Sequence, residues 1–415
     1  METPCRLEGA TTTSTTCTGG RRWDRAGHHA QSLPTLEGVR SALGTRGLVL
    51  SRWEELPVSS PRSTFPGSGR WVAHWLGDNW SLWSNLHYSI IGMLQFSQFG
   101  IPLVGADICG FSGLTNPEMC IRWHQLGAFY PFSRNHNAAG MLAQDPASLG
   151  GEAAAAIREV LLLRYYLLPH LYTLFALQTL TGGTVARPVW HEFPREVPAL
   201  GLDTQFLLGG SLLVCPVLAE GQDTRACYLP KALWYEGFGL RTGPGEWLEG
   251  TGAEVTLHLP LNTTGVFLRG GAILPTQRTA TNTARARLLP IHLHVFLDDQ
   301  EEAQGHLYLD DGASIGDPSP FNKYVPDPIL NEAYTMAEMS FEELRLTYSL
   351  AVHHFTSGME VEEVWVVGLR REVTAVMVNE EEWGAWEVEE VGGRFYLHVT
   401  QLHLSVDEMF TIQLK

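Results

Sequence analysis

The feature that most constrains the fold is an uncharged apolar run, Phe99–Ala106 (FGIPLVGA), which leads directly into Asp107 and then Gly110. A run without polar alternation reads as a strand buried on both faces, the habit of parallel sheets, delivering a carboxylate at its carboxyl end. Gly47–Arg52 (GLVLSR) reads as a second buried strand. Between the two, Leu86, Ile90, Ile91, Leu94 and Phe96 predict an amphipathic helix over Trp83–Phe99. Glu118–Tyr130 is a second predicted helix and Glu152–Leu180 a longer third, which Pro169 should bend or split. Leu36–Leu43 carries a short helical pattern of its own. The alternation of strand and helix points to a parallel α/β layer.

The texture changes near Arg187–Pro188. Phe206–Leu208, Ser211–Val217, Ala226–Leu229, Val255–Leu259, Val266–Arg269 and Ile291–Leu297 are short β-type runs separated by turn residues. Leu344–Val352, Glu360–Val367, Val373–Val378, Glu387–Val391, Arg394–Thr400 and Met409–Leu414 continue the pattern. The expected fold class is therefore α/β plus all-β. An α/β layer occupies 37–187, followed by antiparallel β-sandwich domains over 188–275 and 276–415. The Thr/Gly-rich residues 1–36 are expected to be disordered.

Charge and cysteine use exclude several classes. Lys and Arg number 28 against 45 Asp and Glu, a net charge of −17 with no basic stripe, so a nucleic-acid partner is not expected. No apolar run reaches the roughly 18–20 residues of a membrane span. Six cysteines form no C-x-x-C pair, which argues against a zinc ribbon or thioredoxin-like site. Cys215 and Cys227 read as buried free thiols. The amino terminus carries no apolar signal segment, which places the chain in the cytosol if that terminus is genuine.

Chemistry concentrates in Ser63–Trp83, where Trp71, Trp75, Trp80 and Trp83 surround Asp78. Indole faces beside a carboxylate suit a sugar site: rings stack on pyranose C–H faces, and an apolar wall raises a carboxyl pKa towards that of a proton donor. An aromatic core with one solvated Asp at a turn fits the same composition. Asp107 reads either as a ligand group at a strand end or as a helix N-cap or Asx turn. Arg134, Asn135, His136 and Asn137 (RNHN) are a polar cluster or a surface loop; a His without a second at i+3 or i+4 does not make a metal site. Asn262-Thr-Thr is a glycosylation sequon on a predicted turn, whereas the sequon at Asn79 abuts Asp78 and is set aside. Tyr308–Gly312 (YLDDG) reads as a solvated hairpin turn, and Glu380–Glu382 as a solvated acidic face.

Taken in order, HWLGDNW, VGADICGF, GAFYPFSRNHN, LRYYLLPHLYTLF, VARP and LPLNTTGVFLRGGAILP resemble glycoside hydrolase family 31, clearly from about Arg62 to Pro188. The resemblance implies the carboxyl-terminal portion of a (β/α)8 TIM barrel followed by two β-sandwiches. It also implies a retaining α-glucosidase acting on terminal α-1,4- and α-1,6-linked glucose of glycogen and maltooligosaccharides, a lysosomal location, and no metal or organic cofactor. By that resemblance Asp78 is the general acid/base. Arg62, Trp75, Asp107, Phe111 and His136 contact the sugar, and Cys109 and Cys120 form a disulfide.

Two departures accompany the matches. The family's nucleophile string W-x-D-M-N-E occurs nowhere in the chain, and 37–187 holds about 150 residues against ~250 for a complete barrel. Trp53–Pro61 also separates Arg52 from the Arg62 of PRSTF, leaving two arginines for one role. The sequence therefore predicts a truncated, impaired enzyme. A non-catalytic carbohydrate-binding fragment and another specificity within the family stand as alternatives.

Overall fold

The computed structural model describes residues 27–52, 67–315 and 333–415. The chain opens with α1 (Gly27–Leu43), which reaches back well before the expected boundary at 36; disorder through 36 is corrected to helix from Gly27. β1 (Leu50–Arg52) runs parallel to β2 (Ala73–Trp75), which runs parallel to β3 (Val104–Gly105). β4 (Asp107–Ile108) pairs in parallel with β5 (Arg134–Asn135). These short strands are the α/β layer that the apolar run predicted. Its order is kept by Gly105: a Cβ there would sit 1.9 Å from the carbonyl oxygen of Phe132. β1 is half-buried rather than buried, because among the described residues it is an edge strand with β2 as its single neighbour.

The helices follow from spacing and caps. α2 (Trp83–Gln98) buries Leu86, Ile90, Met93, Leu94 and Phe96, one stripe at helical period. α3 (Pro117–Gly127) starts with proline in its first turn, while the Asn116 side chain caps the Met119 amide at 2.8 Å. The long apolar segment divides into α4 (Gly151–Tyr166) and α5 (Leu168–Thr181), bent by 49° beside Pro169. No single helix among the described residues is long and apolar enough to cross a membrane; the bent α4–α5 pair passes that test by length and composition, and it packs on the core.

Two β regions follow. The first sheet has the order 247–249, 233–236, 265–269, 212–215, 206–208, 186–187, all antiparallel, with a separate ribbon of Thr224–Leu229 and Ala253–His258. The second is a twelve-stranded sheet wrapped around its own core of Leu293, Val366, Leu397 and Ile412. It is antiparallel except where Ala272–Gln277 meets Ala303–Leu309 and Ile291–Phe296 meets Glu360–Leu369, two parallel pairings the sequence did not suggest. The division expected at 275 lies a few residues earlier. The Gly270 amide donates to Leu233 O in the first sheet and the Gly271 amide to Phe296 O in the second, both at 2.8 Å. Ala272–Gln277 therefore belongs wholly to the second sheet.

One core joins all three regions. Leu86, Trp123, Tyr166, Phe206, Tyr235, Phe296 and Tyr396 belong to a single buried cluster. The fully buried Arg122 of α3 fastens the layer to the first β region. Its guanidinium donates to the carbonyls of Pro260, Thr263, Gln222 and Leu259 at 2.8–3.3 Å.

Asp310 overturns the solvated reading of Tyr308–Gly312. It is 2% exposed. Tyr172 donates to Oδ1 at 2.9 Å and Tyr308 to Oδ2 at 3.0 Å, while Arg46 and Arg287 lie at 2.9 and 3.2 Å. Burial alone would raise its pKa; the Arg46 charge and the hydroxyl donors outweigh that and hold it below the ordinary carboxylate value. Asp310→Asn takes the buried anion from between the half-buried Arg46 and Arg287, an expected loss of about 1–3 kcal/mol in urea unfolding at pH 7. Because the folded pKa lies below the unfolded one, the stabilisation is complete above the ordinary aspartate range and disappears as pH falls towards the depressed value. The gap between the two proteins is therefore expected to narrow below about pH 4.

Candidate active site

The site assembles where the parallel strands end. Asp107 opens β4, directly after the apolar run, and is completely buried. Its partner is Arg134 at the start of β5, whose Nε donates to Oδ1 at 3.1 Å and whose Nη2 donates to the same oxygen. The other carboxylate oxygen, Oδ2, makes no hydrogen bond. Burial raises the Asp107 pKa, Arg134 and His136 oppose that rise, and the charge of Asp78 adds to it. Asp78, on the bend that follows β2, and His136, on the loop after β5, therefore both lie within electrostatic reach of Asp107; both are exposed.

Aromatic rings frame this group. The Arg134 guanidinium lies over Trp75 at 5.2 Å and Phe132 at 5.4 Å, and the Phe111 ring is 5.3 Å from that of His136. Asp78, Trp75, Asp107, Phe111 and His136 thus lie at one end of the layer. Arg62 lies outside the described residues, as does the side chain of Arg52, so the choice between the two arginines stays with the sequence.

The loops carrying these groups are cross-tied by residues that were not singled out. The Gln144 amide donates to the carbonyls of Ile108, Gly110 and His136 at 3.2 Å and to Asn135 Oδ1 at 3.0 Å. Asn79 donates to Asp107 O at 2.9 Å and accepts from the Phe111 amide at 3.0 Å, so its side chain is engaged within the site. Ser81 Oγ donates to Cys109 O at 2.8 Å. Gly110 has φ 91°, and a Cβ there would meet the Ser81 amide nitrogen at 2.4 Å. Cys109 and Cys120 are bonded as a disulfide, which ties the Asp107 strand to α3 and keeps the nearby His124 from finding free thiolates. Cys215 and Cys227 are buried and unbridged, and burial pushes the Cys227 thiol up. Asn262 is exposed on its turn.

Comparison with known proteins matches this architecture twice. The glycosyl hydrolases family 31 TIM-barrel domain matches residues 13–174, and the glycosyl hydrolase family 31 C-terminal domain matches 182–274. Lysosomal alpha-glucosidase of Rattus norvegicus is 40% identical over 367 residues, covering 84% of this chain and 37% of the relative. Intestinal sucrase-isomaltase of Homo sapiens is 43% identical over 323 residues, covering 77% and 17%. Among solved structures, a DNJ-bound glucosidase II alpha subunit superposes with a TM-score of 0.79 at 26% identity, covering 89% of this chain and 40% of that one. The chain thus spans well under two thirds of these relatives.

The Asp107–Arg134 pair sets the expected response to mutation. Arg134→Met strands a buried carboxylate and is expected to cost about 3–5 kcal/mol by chemical denaturation. Combining it with Asp107→Asn removes the stranded charge and should recover most of that loss.

Proposed function

The chain belongs to glycosyl hydrolase family 31, and on that premise we propose that its site serves a retaining α-glucosidase, with the acid/base half of the machinery on this chain. The observation that carries the reading is the convergence of Asp78 and Asp107 beside Arg134, under Trp75 and next to the Phe111–His136 pair. Asp78, exposed at the strand end, donates a proton to the departing glycosidic oxygen and later takes one from water. His136 offers a ring nitrogen to sugar hydroxyls and Trp75 and Phe111 stack on the pyranose, while the buried Asp107, paired with Arg134, holds the strand end beneath them.

Retention needs a second carboxylate about 5–5.5 Å from the first, acting as nucleophile. Arg134 and burial commit Asp107 to a structural ion pair, so it does not fill that place. W-x-D-M-N-E is absent from the 415 residues, so these residues by themselves bind a glucose unit without cleaving it. The substrate class is terminal α-1,4- and α-1,6-linked glucose of α-glucans, the location the lysosome, and Asn262 the glycosylated position.

Titration calorimetry of the full chain with a glucose-configured iminosugar is expected to show binding, weakened at least about tenfold in Asp78→Asn, where the attraction between carboxylate and ammonium is lost. Release of 4-nitrophenol from the α-glucoside should stay at the buffer rate. Tighter binding of a xylose-configured iminosugar would overturn the glucosidase assignment. Turnover abolished by Asp78→Asn would overturn the half-site assignment.

A further inference from the structure

A second cluster of polar side chains lies on the twelve-stranded sheet, on strands other than those that carry Asp107. Its origin is a fault in register. Ile291–Phe296 pairs in parallel with Glu360–Leu369, Ile291 opposite Val361 but His292 opposite Glu363, so Glu362 is an extra residue in a β-bulge. Strand residues normally alternate between faces; an extra one places two successive side chains on the same face. Burial records this: Val361 and Val364 are buried, and the glutamates between them are both half-buried. Glu362 and Glu363 therefore stand together on the face that His292 and His294 occupy, while Ile291, Leu293 and Val295 fill the core behind.

We propose that His292, Glu362 and Glu363 form a binding site for a divalent first-row transition cation, zinc above all. One ligand atom from each lies within 4.8 Å of the other two. The His292 side chain is 5% exposed, and its Nε2, 3.6 Å from Glu362 Oε2, makes no hydrogen bond. Glu362 Oε2 makes none either, although it lies 3.2 Å from Arg278. A buried imidazole nitrogen and a buried carboxylate oxygen that face each other without bonding are both satisfied by one cation. The outer groups fit the same purpose. Tyr166 Oη lies 3.2 Å from His292 Nδ1 and 2.8 Å from His294 Nε2, so a proton on Nδ1 directed at the phenol leaves the Nε2 lone pair facing the glutamates. His398 Nε2 lies 3.2 Å from Glu363 Oε2 and orients that carboxylate from behind.

One nitrogen and two carboxylate oxygens suit zinc, cobalt or manganese better than calcium or magnesium, which prefer all-oxygen sets. Access runs past Arg278, whose side chain is 53% exposed and whose Nη2 lies 3.2 Å from an oxygen of each glutamate. Its guanidinium supplies the charge a cation would supply, so the two compete for the same oxygens.

Titration of Zn2+, and of Co2+ followed by visible absorption, into the chelator-treated full chain tests this. The expected result is one equivalent bound, with cobalt bands of low coordination number. Affinity should fall at least about 100-fold in His292→Ala and in Glu362→Gln, fall about tenfold in Tyr166→Phe, and rise in Arg278→Met. Glu362→Gln, on a partly exposed side chain, keeps the test open if His292→Ala does not fold. No stoichiometric binding, or binding unchanged in both His292→Ala and Glu362→Gln, overturns the site.

Discussion

A few short parallel strands cannot cover the apolar faces of the helices that connect them, and this single constraint organises the molecule. The solution is a core that ignores the sequence divisions: Trp123 of α3, Tyr166 of α4, Phe206 of the first sheet and Phe296 of the second are buried in one cluster. Arg122 shows what the arrangement costs locally. The loop carbonyls of Pro260, Thr263, Gln222 and Leu259 converge where the layer meets the first β region, and one fully buried guanidinium donates to all four. Asp310 does the corresponding service at the second sheet, gathering Arg46 from beside the first strand, Tyr172 from α5 and Arg287 from its own region.

The candidate active site obeys a division of labour. Its positioning groups are buried: Asp107, Gln144 and the Cys109–Cys120 bridge. The groups proposed to meet the ligand, Asp78 and His136, stand at the solvent edge. Rigid support under exposed reactants is what orientation of a sugar demands, because displacement of a few tenths of an ångström in the support is transmitted to the reacting atoms. Gln144 is the economical element, one amide holding three carbonyls from two different loops.

Local pattern was enough to read α2, the α4–α5 break beside Pro169 and the carboxylate at the end of the apolar run, because each is decided by residues within a few positions. The motif strings further assigned Trp75, Phe111 and His136 to one neighbourhood, and the structure brings them there. Partnership across long separations was invisible. Asp310 has the local chemistry of an exposed turn, and only Tyr172, 138 positions earlier, reveals its burial. Thr335–Glu342 was legible and went unread: Ala337, Met339 and Phe341 alternate with Glu338, Ser340 and Glu342, the period of a half-buried strand. The bulge at Glu362 is a property of pairing, not of either strand's own residues, and no single-strand pattern encodes it.

The junction at Gly270 and Gly271 has a consequence for inheritance. Neighbouring amides anchor to different sheets with no spacer between them, so there is no hinge at which the two β regions could swing or be excised. Recombination at this point would break a ladder on whichever side it fell. Replacing either β region with a foreign one would therefore have to re-create both ladders at that point.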